Sequence, residues 1–131
     1  MDKAIVYLAV ALGSALGGVG RFWISGLAAQ RFGETFPWGT LVVNVSGSFV
    51  IGFFAAVTGP DGRWMVSSRL NSFFTAGLCG GYTTFSSFSL QTLRLAHEGE
   101  ALHAGANVLA SVALCLAAVW LGHLAGQALN R

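Results

Sequence analysis

Polar residues placed inside long apolar runs are the chemically informative part of this sequence, and their types suit ion contact better than bond making. In the second apolar run Thr40, Asn44 and Ser48 are spaced by four, so a helix sets them on one face. Hydroxyls and an amide are neutral donors that can stand in for part of an ion's water shell. The same amide can instead bond a neighbouring helix. The third run reads Gly77-Leu-Cys-Gly80-Gly81-Tyr-Thr83-Thr84-Phe85-Ser86-Ser87-Phe88-Ser89. Adjacent glycines followed by β-branched threonines weaken helix in mid-segment. A break there frees backbone carbonyls, which suit a small cation such as Na⁺; a kinked helix is the plainer outcome.

Beyond that point Phe85 and Phe88 are three apart and face one way, with Ser86 and Ser89 as a neighbouring polar row. Aromatic ring edges carry partial positive charge and can favour an anion without offering a titratable group, although such pairs also serve as packing. The first run contains Gly17-Gly-Val-Gly-Arg21, an arginine well inside apolar sequence. A charge at that depth marks a functional site or a side chain that snorkels to the surface. In the fourth run Asn107 and Ser111 are spaced by four, and His123 has no partner at metal-ligand spacing.

Covalent chemistry has no foothold in this pattern. No Asp or Glu lies in an apolar run, and no nucleophile–base pair or metal-ligand cluster is present in the sequence, so an enzyme is not expected. Cys79 and Cys115 sit in apolar surroundings as small hydrophobes, without C-x-x-C spacing or a disulfide framework.

The elements that must position these groups follow from composition. Only 9% of the 131 residues are charged and 54% are hydrophobic, against about 25% charged in soluble domains. The outer surface must therefore meet lipid or further copies of the chain. A net charge of +2 from scattered Lys and Arg gives no footprint for nucleic acid. About 20 apolar residues in helical form cross a bilayer. Four stretches qualify, roughly 4–29, 38–57, 70–95 and 102–129, within one domain spanning 1–131. The first continues past Arg21 to Ala29 and is too long for a signal-peptide core. Turn signals such as Thr58-Gly-Pro-Asp-Gly62 separate the runs, with Trp38 and Trp64 at their edges. Gly13, Gly17 and Gly20, then Gly47 and Gly52, then Gly122 and Gly126 form small-residue faces for close helix approach.

Charge does not fix an orientation. Lys3, Arg63, Arg69 and Arg131 fall on one side, and Arg21, Arg31 and Arg94 on the other. Four against three is hardly a bias, so both insertions are open. Opposed copies would form an antiparallel dimer equivalent to the inverted repeats within many transporters. The fold expected is all-α: four transmembrane helices per subunit, the third broken in mid-membrane.

Taken together, Gly17-Gly-Val-Gly-Arg21, Gly39-Thr-Leu-Val-Val-Asn44-Val-Ser-Gly47-Ser-Phe and Gly77-Leu-Cys-Gly-Gly-Tyr-Thr-Thr-Phe-Ser-Ser-Phe88 resemble the signature stretches of the Fluc/CrcB fluoride channels. The resemblance runs over nearly the whole chain. It implies an antiparallel dual-topology homodimer in the bacterial inner membrane that exports fluoride passively through two pores. It assigns Phe85 and Phe88 to the pore wall, Asn44 to contact with the ion, and Ser111 to a pore-lining hydroxyl of the fourth helix. Thr40, Ser86, Ser89 and Asn107 are expected along the same path. Arg21 matches a vestibule arginine, and Gly80 and Thr83 match the helix-break positions whose carbonyls hold a central Na⁺. Asn107 departs from the tyrosine found in other members, although an amide can still donate there.

Residue physics alone gives a small-ion channel that favours anions. A proton-coupled small multidrug exporter shares the architecture but needs a titratable intramembrane group, which the runs lack. A non-transporting membrane scaffold would account for the glycine faces but not for the aligned polar groups.

Overall fold

The computed structural model describes residues 2–131, and the described residues contain helices and no strand. Helix α1 spans Lys3–Phe32. Asp2 caps it by accepting the Ala4 N–H at 3.0 Å, and Gly33 ends it at φ 81°, a conformation open to glycine. Helix α2 spans Trp38–Thr58 and α6 spans Ala101–Leu129. Between them lies a composite element: α3 (Ser68–Ser72), a π-helical stretch (Phe73–Cys79), α4 (Gly80–Tyr82), two extended residues, and α5 (Phe85–His97).

Helices α1, α2 and α6 are each long and apolar enough to cross a membrane. The composite element runs over a comparable length in pieces. Its break falls at Thr83 and Thr84 and not at the glycines. Gly80 keeps helical angles of φ −64° and ψ −37°, a correction to the expectation that it is a break residue. Of the two glycines Gly81 serves close approach: a side chain there would strike the Ser14 backbone. The π-helical stretch has no counterpart in the sequence reading. Such wider turns insert one residue and often adjoin functional sites.

Packing divides the molecule into two tight pairs. Helix α2 lies along α6, while α1 lies against the π-helical stretch and α4. Gly52, Gly122 and Gly126 bring backbones together in the first pair, Gly13 and Gly17 in the second. Gly20 does not belong to this contact; a Cβ there would meet only the Tyr82 ring, at 3.8 Å. At the far end, Asn130 bridges the pieces. Its Nδ2 donates to Ala56 O at 3.0 Å and its Oδ1 accepts the Arg63 N–H at 2.9 Å.

Few large apolar side chains are fully buried, Val43 and Val57 being the main ones. Tyr7, Phe22, Leu16, Leu109 and Trp120 all point outward. An exterior this apolar needs lipid or another protein surface around it. Trp38 meets Phe36 at 4.8 Å in a tilted pair and Trp64 meets Phe53 at 6.5 Å, both at helix edges where interfacial aromatics belong.

Candidate functional site

The site is built around the break between α4 and α5. Thr83 and Thr84 are extended, with ψ values of 158° and 118°. Such a backbone at membrane depth must find partners. Asn44, from α2, supplies them in both directions. Its Oδ1 accepts the Thr84 N–H at 2.8 Å, and its Nδ2 donates to Thr84 O at 3.0 Å. Upstream, the Thr83 N–H and hydroxyl both donate to Cys79 O, at 3.0 and 2.9 Å. The Arg21 Nε donates to Gly81 O at 3.2 Å, placing a cation at the carbonyl end of the interrupted helix, where the helix dipole favours it. Downstream, the Thr84 hydroxyl accepts the Ser87 N–H at 3.2 Å and so caps α5.

This pairing releases two carbonyls. In an unbroken helix the Thr84 N–H would bond Gly80 O and the Ser87 N–H would bond Thr83 O. Both donors are turned to side chains instead, to Asn44 Oδ1 and Thr84 Oγ1. Gly80 and Thr83 are the pair that the family resemblance implies for a small cation, and two unbonded carbonyls are a donor set that fits one. Backbone oxygens are hard, neutral ligands of the kind broken transporter helices offer Na⁺. Two oxygens make only part of a coordination shell, and this chain offers no carboxylate beside them.

Beside the break opens a cleft of about 430 Å³ bounded by α2, the π-helical stretch, α4, α5 and α6. Asn44, Thr83, Phe85, Phe88 and Ser111 line it, and no charged residue does. The Phe85 and Phe88 rings are 5.3 Å apart at 47°, tilted so that edges as well as faces are presented. Phe85 is 79% exposed in the single chain. Asn44 spends one of its two amide hydrogens on Thr84 and keeps the other for the cleft. Ser111 donates to Asn107 Oδ1 over 3.4 Å, a long bond that holds its hydroxyl weakly.

The remaining candidates lie elsewhere. Thr40 is buried one turn from Asn44 and lines a second cavity of about 590 Å³, together with Trp38, Gln91, Arg94, Glu34 and Glu98. Thus the polar stripe on α2 joins two cavities instead of lining one. Ser86 and Ser89 are on the exposed face of α5, outside the cleft; Ser86 contacts Thr84 Oγ1 at 3.3 Å and Ser89 donates to Phe85 O at 2.9 Å. Arg21 lines neither cavity and acts on the break.

Asn107 is 1% exposed and does not line the cleft. Its Nδ2 donates to Thr92 Oγ1 at 2.9 Å, and Thr92 in turn donates to Phe88 O at 2.7 Å. The amide therefore ties α6 to the helix that carries Phe88. Asn107→Ala leaves the Thr92 and Ser111 hydroxyls short of partners in a buried place, at a cost of about 1–3 kcal/mol. A lower unfolding temperature of the purified protein is the expected readout; an unchanged one would remove Asn107 from the structural role.

Sequence reasoning missed three contributors. Thr84 closes the break, and its position ahead of Phe-Ser-Ser87 is a helix-start signal that could have been read. Thr92 reaches Asn107 across two helices, which no local spacing announces. Gln91 lines the second cavity with a buried Oε1 that has no donor, so that oxygen is open to a mobile partner.

An all-helical multi-pass membrane protein, with a broken helix beside an uncharged polar cleft, is the class that fold and site define. The chain belongs to the CrcB-like protein (Camphor Resistance, CrcB) family, whose family model matches residues 8–123. It is 62% identical over 125 residues to a protein of Opitutus terrae named fluoride-specific ion channel FluC, covering 95% of each chain. Similar proteins of the same name occur in Rhodospirillum rubrum, at 59% identity over 96% of this chain and 98% of the relative, and in Paramagnetospirillum magneticum, at 58% over 97% and 99%.

Proposed function

We propose that this protein is a fluoride-selective channel that lets fluoride leave the cell passively, working as an antiparallel homodimer with two pores and a central Na⁺. The observation that carries the reading is the uncharged cleft, where the free amide hydrogen of Asn44, the Ser111 hydroxyl and two tilted phenylalanines converge. Fluoride is small and strongly hydrated, so its path must replace water with donors. A fixed positive charge in a narrow path would bind the anion too tightly to release it, and conduction needs binding weak enough to allow exit. The family relationship and the names of the similar channels support the same ion.

Assembly with a second, inverted copy accounts for two features of the single chain. It would cover Phe85, and it would bring a second pair of Gly80 and Thr83 carbonyls to the first, four oxygens around one cation. Held by the Gly80 and Thr83 carbonyls, Na⁺ would supply fixed positive charge. The near-even split of Lys and Arg between the two sides permits both insertions.

The test is halide efflux from liposomes holding the purified protein, followed with fluoride and chloride electrodes. Fast fluoride release with little chloride release is expected. Absence of fluoride release from well-folded dimers would overturn the reading in favour of an exporter or a scaffold. Phe88→Ile keeps apolar volume but removes the ring edge, so it should abolish fluoride flux while the dimer still assembles. Flux at the wild-type level in that variant would take Phe88 out of the pore.

A further inference from the structure

Tyr82 takes no part in the scheme above, yet it is the last helical residue before the break. Helix α4 has three residues, two of them glycines, and so has little intrinsic hold on its own end. Contacts from other helices must decide where it stops. Arg21 and Asn44 bond the backbone at Gly81 and at Thr84. Between those two points the chain is gripped through a side chain, the phenol of Tyr82.

Its ring is seated between α1 and α2. A Cβ on Gly20 of α1 would meet ring atom Cδ1 at 3.8 Å, and a Cβ on Gly47 of α2 would lie 3.1 Å from Cδ2, on the opposite edge. The same Cβ on Gly47 would run into the Thr83 methyl, so this glycine also receives the first extended residue. Beyond the ring, the phenolic oxygen lies 2.8 Å from Ser46 Oγ. Ser46 donates its own hydrogen to Val43 O at 3.2 Å, which leaves its oxygen to accept the hydrogen of Tyr82. Turning α4 to rejoin α5 would draw the ring from this slot and break the bond to Ser46.

We propose that Tyr82 is a positioning residue of the break: its ring, fitted between Gly20 and Gly47, and its hydroxyl, tied to Ser46, fix the end of α4 so that Thr83 stays extended. Its consequence for ion binding rests on the reading of Gly80 O and Thr83 O as ligands of Na⁺. A preset break spares the cation the work of opening one.

Amide hydrogen exchange of the purified full-length protein, read by mass spectrometry over residues 80–88, tests this. Tyr82→Phe keeps the ring and removes only the hydroxyl. With choline in place of Na⁺, exchange over the break should run roughly two- to tenfold faster than in wild type, the shift that one net hydrogen bond gives to a local opening, with α1 and α6 unchanged. Ser46→Ala should act in the same way from the other side, and serves if Tyr82→Phe misfolds. The double variant should exchange no faster than the faster single one, because both changes remove one bond. With Na⁺ well above half-saturation, Tyr82→Phe should need roughly two- to tenfold more of it to match the wild-type rate. Exchange at the wild-type rate in both single variants would overturn the positioning role. So would an equal rise along α1 and α6, which means general loosening, or rises that multiply in the double variant. Local acceleration in Tyr82→Phe, beside wild-type exchange that ignores Na⁺, would leave the role of Tyr82 standing and overturn the cation reading.

Discussion

Asn44→Asp should abolish fluoride efflux and also lower the unfolding temperature of the purified protein. The substitution keeps size and shape, and one carboxylate oxygen can still accept the Thr84 N–H. The other now faces Thr84 O across the 3.0 Å that the amide N–H had bridged. Two oxygens at that separation repel, and the carbonyl is left without its donor, a penalty of about 1–3 kcal/mol. Transport suffers for a second reason. A negative charge about 4 Å from a permeating anion opposes it by roughly 4 kcal/mol at the effective dielectric typical of protein sites. That is about a thousandfold in rate. Asn44→Ser separates the two effects, since it removes both bonds to Thr84 without adding charge. Flux retained in Asn44→Ser and lost in Asn44→Asp would put the effect on charge in the path. Equal losses would put it on the break, and wild-type flux in Asn44→Asp would remove Asn44 from the path.

The double bond between Asn44 and Thr84 also marks where sequence reading stops. The four apolar runs follow from composition, and their ends fall within a few residues of α1, α2, the composite element and α6. Helical spacing correctly put Thr40, Asn44 and Ser48 on one face. It did not reveal that one turn of that face passes from a cavity holding Thr40 to a cleft holding Asn44 and Ser48. The Gly-Gly and Thr-Thr pairs announced a weak point in the third run. The exact residue that breaks was decided elsewhere, by an amide 40 positions away that captures the Thr84 backbone in both directions. Long-range capture of this kind leaves no local trace, because each partner is an ordinary residue of its own helix. The same holds for Thr92 and Asn107. Phe85 and Phe88 were legible as a pair through their spacing, whereas the exposure of Phe85 is a property of the assembled surface.

The break is held by side chains from two other helices, α1 and α2. Arg21 of α1 holds Gly81 O, Asn44 of α2 holds Thr84, and Ser46 contacts the Tyr82 hydroxyl at 2.8 Å. A broken helix between apolar walls would otherwise recover its missing hydrogen bonds by straightening. Keeping two carbonyls unbonded therefore requires competing partners for the very donors that would claim them. In this protein Asn44 and Thr84 provide those partners, which links the residue that faces the cleft to the residues that free Gly80 O and Thr83 O. The cleft and the candidate cation site, which share Gly80 and Thr83, are thus mechanically one unit.

Neighbouring glycines of α1 should respond in opposite ways to the same change. A Cβ on Gly17 would run into the Leu78 carbonyl oxygen and lie 2.8 Å from Tyr82 N, both backbone atoms of the element that leads into the break. Backbone cannot rotate aside as a side chain can, so α1 and α4 must part. Overpacking of this kind destabilises by about 1–3 kcal/mol. The shift would also move Gly81 away from Arg21, so fluoride efflux should fall with stability. A Cβ on Gly18 meets nothing within 4 Å in the same helix. There the intrinsic preference of helices for alanine should show, a gain of up to about 1 kcal/mol. Thermal unfolding of Gly17→Ala and Gly18→Ala, followed by size-exclusion chromatography with efflux measured beside it, decides the matter. Matching behaviour of the two variants would mean that α1 does not pack on the broken helix through Gly17. Loss of the dimer in Gly18→Ala, with the subunit still folded, would instead place the open face of α1 in the contact between copies.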